Sequence, residues 1–424
     1  MLRSTRALIL LVIVCLLFTA CGSSSSNTTN KKNQNPTQDV CPNQAKMISP
    51  ACVTPHALSV AYGIDPLIQK GFTGKGQTIV DITSFDSPNL QKNLKVFDQT
   101  FNLPPIDVQV ISPLNEPMSD PNKDQQTWAQ GTEREVEILH AIAPGAKIVV
   151  LESPVAETEG TFGLPEFRKL VQYAIDKQLG NVVSLRWDVS ELTLQDAAGQ
   201  QEVQQWNDLL QNGTTNHHIT YFATSGSSGA TDYVDNTHMG NVPTTSFPAN
   251  SPWVTSVGGT NLNLTNTNSI LAETAWSGSG GGFTHLFPMP SYQKLLPAQV
   301  QQQFNNQRGV PDVSIDDDPL TGLAVYVDGQ WQLAGGNTNV PVWTALGAIA
   351  DQIAGHPLGF INPALYKLGT SNTYHQDFHD IIEGNNNNQQ ANVQGYSAAP
   401  GWDAVTGLGT PNAQTLIPDL IKAT

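Results

Sequence analysis

The chain has 424 residues, 39% of them hydrophobic, enough apolar material for one large domain or two modest ones. Acidic residues outnumber basic ones by 36 to 20 with no long block of either sign, which argues against nucleic acid or an anionic membrane surface as the main partner. The excess reads as a solvated acidic surface.

Arg3 and Arg6 precede an apolar run from Ala7 to Phe18, and Thr19-Ala20-Cys21 follows. That is the layout of a bacterial secretory signal ending at a lipobox, so residues 1–20 are expected to be removed and Cys21 to become a lipidated N-terminus. A plain signal peptide or a short anchor would share the apolar run, which is short for a spanning helix. The Gly-Ser-Ser-Ser-Ser that follows fits a lipoprotein tether. Residues 21–40 are then the lipid-bearing cysteine and a disordered leash rich in Ser, Asn, Lys and Gln. The expected location is extracytoplasmic, held to the membrane by lipid. With Cys15 and Cys21 in this segment, Cys41 and Cys52 are the pair left in the exported part. A pair outside the cell, flanking a short loop, predicts one disulfide, and the absence of matching histidines argues against zinc.

From Gln77 onward, strand and helix patterns alternate. Strands are expected at Thr78 to Phe85, Val108 to Ile111, Ala146 to Leu151, Asn181 to Trp187 and His218 to Ala223. Helices are expected at Asn89 to Phe101, in a segment running to Ala143, at Pro165 to Gln178 and at Gln200 to Leu210. Strands separated by helical crossovers predict an α/β fold with a mostly parallel sheet covered on both faces.

The segment Gly335 to Ala350 begins as a tight turn and runs into a helix that is apolar nearly all round and so should be buried. Asn339 can cap this helix, Pro341 suits its first position, and Gly355 with Pro357 gives the stop. A side chain just ahead of such a helix faces the positive end of its dipole, where many hydrolases place a nucleophile. Here that side chain is Thr338.

This segment is one of a series of landmarks. The others are Ala61-Tyr62-Gly63, His140-Ala141-Ile142-Ala143-Pro144, Ser184-Leu185-Arg186-Trp187, and Phe247-Pro248-Ala249 with Ser251-Pro252. Val257-Gly258-Gly259-Thr260, Gly280-Gly281-Gly282, Arg308-Gly309-Val310-Pro311-Asp312-Val313 and Gly401 to Pro411 complete it. In this order, from about Val53 onward, the chain resembles the sedolisins, the serine-carboxyl peptidases. The resemblance implies a subtilisin-like fold, a parallel sheet between helix layers, as a single large domain over residues 41–424. Sedolisins generally carry a folded pro-segment between signal and enzyme, and nothing here has the length for one.

The resemblance also assigns catalytic positions. A sedolisin relays a proton from its serine through an aspartate and a glutamate one helical turn apart, and a protonated aspartate in a Gly-Asp-Ser-Gly turn stabilises the oxyanion. Counted back from Pro144, the aspartate position holds Glu135 and the glutamate position holds Gly131. Glu133 and Glu137 keep the spacing but are turned to the wrong side of the helix. Thr132-Glu133-Arg134-Glu135 also fits a capping box, with Glu135 reaching back to the helix start. The oxyanion turn reads Gly226-Ser227-Ser228-Gly229, which puts Ser227 at the aspartate position, as a weak donor or a plain turn residue. Thr338 stands at the serine position, where its extra methyl restricts rotation and crowds the approach to a carbonyl. The family's substrate strand, Ser-x-Ser-Trp-Gly, is replaced by Ser184-Leu185-Arg186-Trp187-Asp188, and a salt bridge from Arg186 to Glu135 or Asp188 would fit.

Near the C-terminus the resemblance places a calcium site. Its ligands would be the carboxylates of Asp380 and Asp403 with the carbonyls of Ile381, Ala399 and Gly401, an all-oxygen set suited to a hard cation. The run Asp316-Asp317-Asp318 reads as a turn before Pro319 rather than a second metal site. With every relay, oxyanion and nucleophile position substituted, the expectation is a pseudopeptidase that binds a peptide or protein. The competing expectation is an active acid endopeptidase in which Glu135, Glu137 or an unplaced aspartate serves as base and Thr338 attacks.

Overall fold

The structure, a computed structural model, describes residues 39–336 and 338–424. The expected signal, Cys21 and the tether as far as residue 38 lie outside the described residues. The predicted disulfide is present between Cys41 and Cys52.

The strands that matter are β1 (Thr78–Ser84), β2 (Gln109–Ile111), β3 (Lys147–Ser153), β4 (Val182–Leu185), β5 (Thr220–Thr224), β6 (Thr255–Leu264), β7 (Ile270–Ala275) and β8 (Val313–Asp316). They form one sheet in the order β8-β6-β5-β4-β1-β3-β2, parallel throughout, with β7 added antiparallel to β6. The central strands β1, β3, β4 and β5 are buried along nearly their whole length, on both faces, and are correspondingly rich in apolar residues. Ile79, Val150 and Val182 point into one core and Val80, Val149 and Val183 into the other.

The first core is closed by α1 (Leu90–Phe101) and α2 (Gln125–Ile142), through Leu94, Phe97, Val136 and Leu139. The second is closed by α3 (Leu164–Lys177) and α4 (Ala197–Asn216), through Phe167, Leu170, Trp206 and Leu210. A hairpin of β9 (Ala324–Val327) and β10 (Gln330–Leu333) packs beside α2, and α5 (Asn339–Ala354) runs through the first core.

From β2 to β3 the chain moves the same way across the sheet as from β3 to β4 and from β4 to β5, yet α2 lies on the opposite face from α3 and α4. Parallel crossovers are almost always right-handed. The β2–α2–β3 unit is therefore the odd one, of opposite hand to its neighbours, and it is the unit that carries Gly131 and Glu135.

Two local expectations are corrected. Helix α2 begins at Gln125, so Thr132 lies two turns inside it and no capping box forms; Thr132 Oγ1 donates to the Trp128 carbonyl at 3.1 Å. Gln125, Gln126, Ala129 and Gln130 are good helix formers with no breaker among them, and they extend the helix upstream. At α5 the N-cap is Thr338, Asn339 is the first helical residue and Pro341 the third. Asn339 is one residue inside the N-cap position; its Oδ1 still accepts from the Val340 N–H at 2.8 Å, while its amide donates to the Val257 carbonyl at 2.8 Å and ties the helix to β6. The stop at Gly355 is in place, with φ 76°.

Candidate active-site region

Four pieces of chain meet at the carboxyl end of the sheet: the extension of β4, the middle of α2, the turn after β5 and the start of α5. Glu135 projects from α2 towards β4 and is fully buried. Its Oε1 accepts from Ser184 Oγ, and its Oε2 accepts from Arg186 Nε at 2.7 Å. Of the two salt bridges expected for Arg186, this is the one found. Asp81 of β1, also fully buried, lies against the same carboxyl. Burial pushes both acids upward, and each also feels the other and Arg186. The arrangement the charges favour is Glu135 ionised against Arg186 with Asp81 protonated.

Arg186 does more than pair. A Cβ built on Gly131 would lie 2.5 Å from Arg186 Nη2 and 2.8 Å from its Cζ and Nη1. The guanidinium is laid across the place where the family's glutamate would leave the helix, and Trp128 packs on it with 5.7 Å from Cζ to the ring centroid. Glu133 and Glu137 face away. Glu133 accepts from Asn93 and from the Asp328 backbone N–H, both at 2.8 Å, and Glu137 accepts from the Tyr326 N–H at 2.7 Å. They anchor α1 and the β9–β10 hairpin.

Thr338 is 6% exposed, and its own N–H and hydroxyl both donate to Asp317 Oδ1, at 2.8 and 2.7 Å. Asp317 lies just past β8, and its carbonyl accepts from the Gly336 N–H at 2.9 Å, so one residue pins the whole turn. Sequence reasoning had left Asp317 in a plain turn; its approach to Thr338 is a tertiary contact across the β9–β10 hairpin, and spacing gives no hint of it. The Glu135 cluster reaches α5 elsewhere, through Ser184 Oγ and Thr344 Oγ1 at 3.4 Å. Among the described residues, no hydrogen bond joins Thr338 to Glu135.

Ser227 is exposed and faces the loop before Thr338, with its Cβ 3.7 Å from a Cβ built on Gly336. The turn of Ser227 and the loop before Thr338, expected from the resemblance to carry the oxyanion and nucleophile positions, are thus adjacent. Beneath this turn the floor is acidic. Asp188 Oδ2 and Ser246 Oγ each lie 3.2 Å from a Cβ built on Gly226, and Ser246 donates to Asp232 at 2.6 Å. Glu157 and Glu159 stand close by, and burial, followed by the charge of Asp232, pushes Glu159 up to about 8.

The five residues of the expected calcium set gather on one pair of loops. Asp380 accepts from the Gly401 N–H at 3.0 Å and the Tyr374 hydroxyl at 3.0 Å, and Asp403 accepts from the Ala399 N–H at 3.1 Å and the Val405 N–H at 2.8 Å. Ile381 is buried beside them. The donors are all oxygen and come from two loops held against each other by the Asp380–Gly401 bond, which fits a hard cation. Here the carboxylates are taken up by N–H groups, and among the described residues no group of three or more His, Cys, Asp or Glu is gathered for a metal.

No family model matches the chain. Kumamolisin from Bacillus sp. (strain MN-32) is 32% identical over 394 residues, 90% of this chain and 66% of kumamolisin. Tripeptidyl-peptidase 1 from Canis lupus familiaris is 36% identical over 197 residues, 42% of this chain and 33% of that protein. The chain therefore spans at most about two thirds of either relative. Among solved structures, Pseudomonas sedolisin (serine-carboxyl proteinase) complexed with two molecules of pseudo-iodotyrostatin matches with a TM-score of 0.71 at 23% identity, over 86% of this chain and 96% of that one. Sequence likeness along nine tenths of the chain and the parallel sheet with its two helix layers agree: the chain belongs to the sedolisin family of serine-carboxyl peptidases.

Proposed function

We propose that this sedolisin is a lipid-anchored, extracytoplasmic protein that no longer cleaves peptide bonds and uses its inherited groove to bind a peptide or another protein. The observation that carries the reading is the guanidinium of Arg186 lying on Gly131 and paired with Glu135. A proton relay needs a free carboxylate at each of two positions. Here one position has no side chain, its space is filled by a cation, and the acid at the other is neutralised by that same cation. Loss of a single such group typically costs orders of magnitude in rate, so their joint loss removes the ancestral route. Purified mature protein incubated with denatured casein from acid to neutral pH is expected to leave the casein intact. Calcium-dependent cleavage that disappears in Thr338→Ala would overturn the inactive reading.

A second reading has one observation in its favour. A hydroxyl 2.7 Å from a buried carboxylate at the start of a helix is also the geometry of a nucleophile with its base. On that reading Asp317 replaces the lost relay. A covalent adduct of a peptide aldehyde on Thr338, absent in Asp317→Asn, would favour it.

Calcium belongs to the same proposal as a structural ion held by Asp380, Asp403 and the carbonyls of Ile381, Ala399 and Gly401. Bound there, it would neutralise two neighbouring carboxylates and tie the two loops together. The lipid anchor rests on the Thr19-Ala20-Cys21 motif. Cys21→Ser is expected to move the protein from the membrane fraction to the soluble fraction; continued membrane retention would count against lipid on that residue.

A further inference from the structure

Beyond the ends of β1, β2 and β3 the chain encloses a cavity of about 620 Å³. Gln126, Gln130 and Glu133 of α2 form one wall, about half a turn round the helix from Gly131 and Glu135. Crevices at the carboxyl ends of parallel strands are where open α/β sheets hold ligands, and this volume lies within the range of small-molecule sites.

The lining has one sign of charge. Asp86, Glu133, Glu152 and Asp328 all face the cavity, and among the described residues no lysine, arginine or histidine does. Two of these acids are engaged: Glu133 by Asn93 and the Asp328 N–H, and Asp328 by the Gln126 amide at 3.1 Å. Glu152, only 5% exposed, is met by neutral donors: its Oε2 accepts from Ser112 at 2.9 Å, and the Ser87 backbone N–H also donates to the carboxyl. Burial, together with the charge of Asp86 and against the Ser112 bond, pushes this carboxyl up to about 7. A buried acid beside a second acid is relieved by a positive group placed between them. Phe85, Pro88 and Leu114 supply apolar wall for a stem that carries such a group.

The geometry points to a binding site for an organic cation in this cavity, an amine or guanidine on a short apolar stem, with Glu152 and Asp86 as its counter-ions. The cation is either a free small molecule or the side chain of a basic residue in a peptide. The site is separate from the Thr338 region and stands whether or not the chain cleaves peptides.

The test is calorimetric titration of the full mature protein at neutral pH with agmatine, with the doubly capped tripeptide Ala-Arg-Ala, and with neutral pentylurea. Binding of agmatine or of the tripeptide, with pentylurea silent, is expected. Agmatine alone identifies a free amine as the ligand, and the tripeptide alone identifies a peptide side chain. Glu152→Gln should weaken binding about tenfold or more, as loss of a charge-assisted bond does. Asp86→Asn, at an exposed position, should act in the same direction with unchanged melting temperature and guards against a folding defect in the first variant. Equal binding of pentylurea, undiminished binding by both variants, or no binding of either cation overturns the proposal.

Discussion

Glu135 has no contact with solvent, and a carboxylate in that position stays charged only beside a cation. Arg186 is that cation, and the same guanidinium covers Gly131, so the glycine on the helix and the arginine just past β4 form one spatial unit. Arg186→Ala leaves Glu135 facing Asp81 without a positive charge, and the expected cost is about 3–5 kcal/mol. Gly131→Glu drives a side chain into the guanidinium and should cost about 1–3 kcal/mol. In the double variant Gly131→Glu with Arg186→Ala, the clash is gone and the new carboxyl has room. Denaturant unfolding of all four proteins should give a combined loss smaller than the sum by about 0.5–3 kcal/mol. Strictly additive losses would mean that the two positions do not share one site.

At the scale of elements, what could be read from the chain depends on whether the cause was local. β1, β3 and β4 are buried on both faces, so each is an apolar run that announces itself without any partner. The end of α5 is equally plain, since Gly355 adopts the left-handed conformation that glycine favours. The start of α2 is not, because its first two turns are polar and carry no apolar stripe, so a capping signal at Thr132 looked like a beginning. In the site, the pairing of Arg186 with Glu135 was legible as complementary charge once both were placed at the relay. The Thr338–Asp317 contact was not, because the β9–β10 hairpin that folds them together separates them in sequence. The loops around Asp380 and Asp403 were legible by resemblance, and their proposed ion is testable at this same scale. Each carboxylate now holds backbone N–H groups of the Ala399–Gly401 turn. If calcium also binds there, chelation should lower the melting temperature of the wild type and leave that of Asp380→Ala unmoved. Identical melting curves for the wild type with calcium and with chelator would remove calcium from the proposal.

Over the whole molecule, the acidic balance of the chain is continued inside it. Burial pushes Glu152 up to about 7, Glu159 up to about 8 and Asp351 up to about 7, and moves Asp188, Asp232 and Glu157 in the same direction. Each of these groups has a folded value above its unfolded one, so folding favours the protonated form. The stability this contributes is fully present below the ordinary carboxylate value of about 4 and is lost as pH rises through the folded values. Glu116 and Asp120 are shifted the other way, so the stability they contribute is lost in strong acid. Glu135 is pushed up by burial as well, but Arg186 opposes that shift, and none of the six groups just named stands at a position expected to be catalytic, so this acid preference does not depend on whether the relay works. The melting temperature should therefore fall between about pH 5 and about pH 8, by on the order of 5 °C. Glu159→Gln removes a carboxyl that must ionise near the top of that range, and it should flatten the upper part of the fall. A melting temperature that rises from mildly acidic to mildly alkaline pH, or a Glu159→Gln profile that superimposes on the wild type, would show that these buried acids do not set the pH dependence of the fold.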